Sequence, residues 1–419
     1  MIAVTPAVRP QFSADAFHPL RAEAALDASA FSTLRRRAVL EGCKWDPQVG
    51  DVSTLLPFPL VMEASEWNQI AAFAQQLTAE ALAAEQEVLE HPRLIARLGF
   101  PPALRRVLVE KTPLTPAAGR VMRFDFHYTD EGWRISEVNS DVPGGFTEAS
   151  CFTAMMAEHF PHLRMAGNPA DVWSRALAAA GRSGVVALLS APGYMEDHQV
   201  IAFLAARLSE RGCQAAVAKP EQIRWQDGVA YLETTWHRGP VDVIVRFYQA
   251  EWLSRLPSQS GWKHFFRGAG TRVTSPAAAV ISESKRFPLT WDELSTGLPT
   301  WRKLLPETRD PRHVPWTRDD GWLLKTAMCN TGDTVRIRER LPRRDWFWTK
   351  LEVGLAPHRW VAQRRFESVA IPTPLGPRHA CVGVYTVNGR AAGAYARVAE
   401  KPVIDFAASD VALLLEDAD

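Results

Sequence analysis

The chain has 419 residues, 47% of them hydrophobic, and sets 48 Lys plus Arg against 47 Asp plus Glu for a formal net charge of +1. That length can bury a substantial core in two or three domains, and the balanced charge offers no basic stripe for neutralising a nucleic-acid backbone. No apolar run approaches the roughly 18 residues of a membrane span, and MIAVTPAVRPQFSADAF lacks the charged and apolar regions of a signal peptide. The expected setting is therefore the cytoplasm, with no nucleic-acid and no membrane partner. Cys43, Cys151, Cys213, Cys329 and Cys381 lie far apart with no C-x-x-C pair, so neither a zinc knuckle nor a disulfide framework is signalled.

Residues 1–115 read as a mainly helical region. Ser65 can cap a helix in SEWNQIAAFAQQLTAEALAAEQEVLE, where Trp67, Ile70, Phe73/Ala74, Leu77 and Ala81 recur at helical spacing. The string Cys43-Lys44-Trp45-Asp46-Pro47-Gln48 fits no element and has no evident role. Residues 116–180 hold a hairpin followed by a helix. From 181 to 265 strand and helix alternate: GVVALLSA, then HQVIAFLAARLSERG ending at Gly212, then CQAAVA and VDVIVRF. Such alternation predicts a small α/β layer with ligands at the C-terminal ends of its strands, and GYMED at 193–197 is such a loop. Residues 266–419 mix short strands (WLLKTA, VRIRER, RWVAQRRF, CVGVYTVNG, AAGAYARVA) with turns, an α+β pattern.

The stretch VMRFDFHYTDEGWRISEVNSDVPGG, from Val121 to Gly145, carries the chemistry. Its two halves alternate like strands, and DEG supplies the glycine of a three-residue hairpin loop. Pairing Thr129 with Trp133 puts Asp125 opposite Glu137 and Arg123 opposite Asn139. Because side chains alternate, Arg123, Asp125 and His127 then share a face with Glu137, Asn139 and Asp141. Carboxylates directly opposite each other cost stability unless a positive charge lies between them. Oxygen ligands of this kind suit Mg²⁺ completed by water and phosphate, and the guanidinium can hold a phosphoryl oxygen. The competing reading is a hairpin with its polar face in water. Against it stand the choice of Asp, Glu and Asn over Lys and Thr, and VPGG, which lets backbone approach whatever is bound.

RFDFHYTDEGWRISEVNSDVPGG resembles the R-x-D … E-x-N-x-D-x-P signature of the glutathionylspermidine synthase-like ATP-grasp ligases, whose ATP-grasp unit is circularly permuted so that the magnesium ligands precede the nucleotide lysines. The same order holds here. The resemblance implies an α+β fold with a permuted ATP-grasp unit, a small α/β pre-ATP-grasp-like domain and a helical N-terminal region. It implies Asp125, Glu137 and Asn139 as magnesium ligands and Arg123 as the group that stabilises the transferring phosphate. Lys285 and Lys325 match the two ATP lysines, Gly332 the phosphate loop and Gln363 the adenine-binding segment. Glu196, Asp197 and Arg397 match substrate contacts, and VRFYQAEWL resembles the family's K-L-Y-P-x-E-W segment. Bland readings stand beside these: Lys285 and Lys325 as surface lysines, and Glu196 and Asp197 as acids favoured at a helix N-terminus.

The implied reaction is ATP- and Mg²⁺-dependent joining of a small-molecule or peptide carboxylate to an amine through an acyl-phosphate, releasing ADP and phosphate. Departures bear on the substrate. Cys329 and Asn330 stand where Gly-Arg is usual, Thr326 replaces a proline, VPGG replaces Thr-Pro-Thr and Ser284 replaces the asparagine before the first lysine, so glutathione is not the expected substrate. The alternatives are a nucleotide-binding partner protein that has lost ligation and a metal-dependent phosphohydrolase using the acidic hairpin alone.

Overall fold

A computed structural model describes residues 18–49, 52–181, 184–328, 335–404 and 407–417. Its centre is an antiparallel sheet in the order Ser409–Val411, Arg390–Ala399, Arg378–Val387, Val121–Thr129, Gly132–Asn139, with Ala370–Ile371 paired to Arg378–Val387. Alternation divides the faces. Met122, Phe124, Phe126, Val382, Val384, Ala394 and Ala396 join the largest core, and Arg123, Asp125 and His127 point the other way.

That core is closed by the helix Ala64–Glu90, whose Trp67, Ile70, Ala74, Leu77, Ala81, Ala84 and Val88 form one buried stripe. The helix starts one residue before the expected Ser65 cap. The strand Leu60–Glu63 runs straight into it, Glu63 takes the cap position without a side-chain cap bond, and Ser65 Oγ donates to Glu63 instead (3.3 Å). Trp133 Nε1 donates to Glu66 (3.0 Å), tying the helix start to the hairpin. A second sheet combines distant parts of the chain, in the order Leu20–Ala22, Leu60–Glu63, Leu413–Glu416, Arg164–Met165.

The expected α/β layer is a parallel sheet, Arg272–Thr274, Val243–Phe247, Val185–Ser190, Gln214–Ala218, with Met195–Glu210 as a crossover helix. A three-stranded antiparallel sheet, Thr308–Arg309, Trp360–Arg364, Trp322–Thr326, forms the wall facing the hairpin, and its Trp322, Leu324, Trp360 and Ala362 pack with Trp316 and Val353. VRIRER is not a strand: only Arg336 bridges to Leu324, and Arg338–Arg340 is a 3₁₀ turn. Its alternation ends at Ile337, and Pro342 follows without an N–H for a ladder. No helix among the described residues is long and apolar enough to cross a membrane.

Candidate active site

The hairpin turns more tightly than its sequence suggests. Thr129 pairs with Gly132 rather than Trp133, and Gly132 takes a φ of 92° that a side chain rarely adopts. Further along, Phe126 faces Ile135 while Asp125 faces Glu137, so Ser136 is an extra residue in a β-bulge. The bulge restores the expected opposition of Asp125 to Glu137 and of Arg123 to Asn139. Arg123, Asp125, His127 and Asn139 are all buried, which rules out a hairpin face turned to water.

Asp125 is the electrostatic centre, only 1% exposed. Its Oδ1 accepts from Arg123 Nε (2.7 Å). Its Oδ2 accepts from Arg123 Nη2 (3.0 Å), from Arg397 Nη2 (2.9 Å) and, more distantly, from Asn139 Nδ2 (3.4 Å). Burial works to raise the Asp125 carboxyl, but the two guanidiniums outweigh it and hold the group below the ordinary carboxylate range. Glu137 behaves alike: burial raises it, and Lys285 with Lys325 brings it below its usual value. Lys285 Nζ lies 3.1 Å from Glu137 Oε2, and Lys325 Nζ donates to the Ser136 carbonyl oxygen (3.0 Å). Both lysines are buried, so the surface-lysine reading fails.

Asp125, Glu137, Lys325, Gln363 and Arg397 line one cleft between the central sheet and the three-stranded wall, enclosing about 770 Å³ with its open mouth. Gln363 is buried, and its Nε2 donates to Thr308 Oγ1 (2.9 Å). Gly332, Cys329 and Asn330 lie outside the described residues. Glu196 and Asp197 stand in the first turn of Met195–Glu210 and do not line the cleft, but Glu196 lies within electrostatic reach of Lys44 and of Arg397, which does. Burial pushes the half-buried Asp197 up to about 7, helped by Glu196 and Asp141.

Three residues in this region carry weight that local sequence reading missed. Asp141 turns out of the acidic face, ion-pairs with the fully buried Arg246 and accepts from the Ala250 amide (2.7 Å), anchoring Val243–Phe247 to the end of the hairpin. Lys44 gives the string Cys43–Gln48 its physical account. Its buried ammonium meets Glu148 (2.5 Å), Asp46 (2.9 Å) and Asp410 (3.4 Å), and Asp410 is the register partner of Arg397. Glu283 accepts the amides of Ser140 and Asp141 (2.6 and 3.1 Å). The visible signals are weak: a lone lysine beside Trp45, and an acid two residues before Lys285.

The VPGG turn is held by tyrosines. The Gly144 carbonyl oxygen accepts from Arg123 Nη1 (3.1 Å) and Tyr385 Oη (2.5 Å). Gly145 has φ 83°, and a Cβ there would meet Tyr385 Oη and Tyr395 Oη at 2.7 Å. Gly145→Ala is expected to destabilise the chain by about 1–3 kcal/mol, read as a lowered urea midpoint; an unchanged midpoint contradicts this packing.

His127 is buried beside the same face, with Nε2 3.1 Å from Ser136 Oγ, and burial lowers its imidazole to about 4 from an ordinary 6.5. The unfolded chain takes up this proton near pH 6.5 and the folded chain only near 4. Stability from this residue is thus full above pH 6.5 and is lost as the pH falls toward 4. Urea melts across that window should show a fall that is shallower in His127→Gln; identical slopes contradict the assignment.

Together these features define a mixed α/β protein with a buried acidic hairpin facing a basic-lined cleft. A glutathione synthetase-like effector from Globodera pallida, in its apo form, shares the fold: TM-score 0.60 at 13% identity, covering 92% of this chain and 96% of that one. A putative gamma-glutamylcysteine synthetase from Methylobacillus flagellatus aligns at TM-score 0.42 and 12% identity, over 78% of this chain and 83% of its own. No protein of curated function matches the chain. The family is nevertheless defined: the chain belongs to the glutathionylspermidine synthase preATP-grasp family, whose model matches residues 58–415. The segment around Lys44 lies outside that match.

Proposed function

We propose that the protein is an ATP-dependent carboxylate–amine ligase that forms an amide through an acyl-phosphate and releases ADP and phosphate, on a circularly permuted ATP-grasp unit. The observation that carries this reading is the convergence of Lys285 and Lys325, from separate elements, on the strand that bears Glu137, directly across from Asp125. Two carboxylates opposed with cations on both sides form a polar, charge-balanced floor for a polyphosphate.

The donor set fits magnesium. Asp125, Glu137 and Asn139 offer hard oxygens from neighbouring registers. Among the described residues Asp125 Oδ1 accepts only the Arg123 Nε bond, and Asn139 donates through Nδ2, which leaves its carbonyl oxygen for a ligand. Among the described residues no group of three or more His, Cys, Asp or Glu side chains is placed to hold a metal, so water and phosphate would complete the shell. When bound, magnesium would supply positive charge that offsets the negative charge of the nucleotide phosphates.

The chain's own groups account for the rest. Lys325 and Lys285 neutralise phosphate oxygens, and Gln363 in the same wall fits the nucleotide base. Arg123, fixed by Asp125 and the Gly144 carbonyl, keeps a guanidinium at the end of the hairpin face where charge develops on the transferring phosphoryl group. Arg397 spans Asp125 and the sheet edge nearest Lys44, and with Glu196 and Asp197 it fits the acid and amine substrates. Glutathione is not the expected acid.

The decisive assay offers carboxylates and amines in combination and follows nucleotide products: ADP with stoichiometric phosphate supports the reading, and AMP contradicts it. A second reading is a nucleotide-binding protein without ligation. It is favoured by Asp125 being already engaged by two guanidiniums, and ATP binding without turnover across the panel would select it.

A further inference from the structure

Glu283 is a buried acid, 4% exposed, that the proposed reaction leaves without a part. It ends the short helix Val280–Glu283, two residues before Lys285. Its Oε2 accepts the amides of Ser140 and Asp141, the residues directly after Asn139, and its Oε1 lies 3.5 Å from Lys285 Nζ. Ser284, which stands where an asparagine is usual, turns away and donates to the Leu98 carbonyl oxygen (2.7 Å). Ser282 Oγ, from the same turn, contacts Ser140 Oγ (2.9 Å) and Glu85, and Glu85 accepts from Arg120 Nη2 (2.7 Å). Glu283 thus sits in a connected buried network, and moving it would break two hydrogen bonds from backbone amides at once.

Lys285 therefore lies between two unlike acids. Glu137 is half-buried on the cleft floor, where a bound cation would engage it. Glu283 does not line this cleft and is pinned by backbone. A pinned charge keeps an ammonium within a narrow range of positions after its other partner is withdrawn.

We propose that Glu283 is the positioning residue for Lys285, holding its ammonium at the phosphate side of the cleft when Glu137 is engaged by metal. This rests on the ligase reading, because it assumes nucleotide and metal in this cleft.

The test is a double-mutant cycle on Mg·ATP affinity, read by displacement of a fluorescent ATP analogue so that weak binding remains measurable. Glu283→Gln retains a carbonyl acceptor for the two amides and removes the charge facing Lys285. It should weaken Mg·ATP binding about tenfold in the otherwise wild-type chain and at most about twofold in a Lys285→Gln background. Glu283→Asp, which keeps the charge, should recover part of the loss. Equal losses in both backgrounds would make Glu283 a backbone prop for Ser140 and Asp141, and no loss in either would remove it from the site; both results overturn the proposal. A wild-type chain that binds no Mg·ATP contradicts the ligase reading itself, and this proposal falls with it.

Discussion

Replacing Glu137 by alanine should leave a folded chain that releases ADP about 10²–10³-fold more slowly, the range seen when one preorganised electrostatic group is taken from a reacting centre. The fold is expected to survive for a specific reason. Glu137 keeps about a fifth of its side chain exposed, and its cation Lys285 has a second carboxylate in Glu283. Removing Glu137 also relieves the close approach of two acids across the hairpin, since Asp125 is its register partner. The loss should therefore lie in turnover and in metal dependence, with the thermal midpoint close to wild type. Steady-state ADP release with matched thermal melts checks this. An active Glu137→Ala enzyme would show that the acidic pair is structural.

Asp125→Ala should behave in the opposite way, with stability failing first. Its carboxylate is the shared partner of Arg123 and Arg397, and its removal leaves two guanidiniums in a buried face with no anion between them. Breaking a buried pair by removing one partner costs about 3–5 kcal/mol. Because Arg123 and Arg397 also lie on different strands of the central sheet, the cost should appear as a large drop in the urea midpoint, with no soluble activity left to assay. Asp125→Ala combined with Arg397→Met removes one of the stranded charges and should regain part of the stability, a non-additivity expected of groups sharing one network. Additive losses would mean that the two residues do not act on each other.

These two variants separate roles that the sequence presents as equivalent. Both acids are legible from the period-two pattern, and their opposition follows from the position of the turn. The registers agree through two cancelling departures: the loop is one residue shorter than DEG suggests, and the bulge at Ser136 adds one residue back. Three strands of the parallel layer, Val185–Ser190, Gln214–Ala218 and Val243–Phe247, and the long helix were legible because their apolar spacing is regular, whereas the three-residue strand Arg272–Thr274 was too short to read. VRIRER misled because two alternating apolar positions do not make a strand when a proline follows.

The residues that hold the site together could not be seen in the sequence, for a physical reason. Glu283 meets Ser140 across 143 positions, Arg246 meets Asp141 across 105, and Lys44 reaches Asp410 across 366. No local periodicity encodes such pairs. They arise when sheets built from distant segments meet, and a buried charge reveals its partner only once both are in place. The side-chain chemistry of the acidic face is thus legible in one hairpin, whereas its support is spread over the whole fold.

The ligase reading requires a Mg²⁺-dependent nucleotide site between the hairpin and the three-stranded wall. Calorimetric titration of ATP into the wild-type chain and into Lys325→Ala, with and without magnesium, tests it. Saturable binding that requires magnesium and is lost in Lys325→Ala is the predicted result. No heat of binding at any magnesium concentration, or binding unchanged by Lys325→Ala, would contradict it.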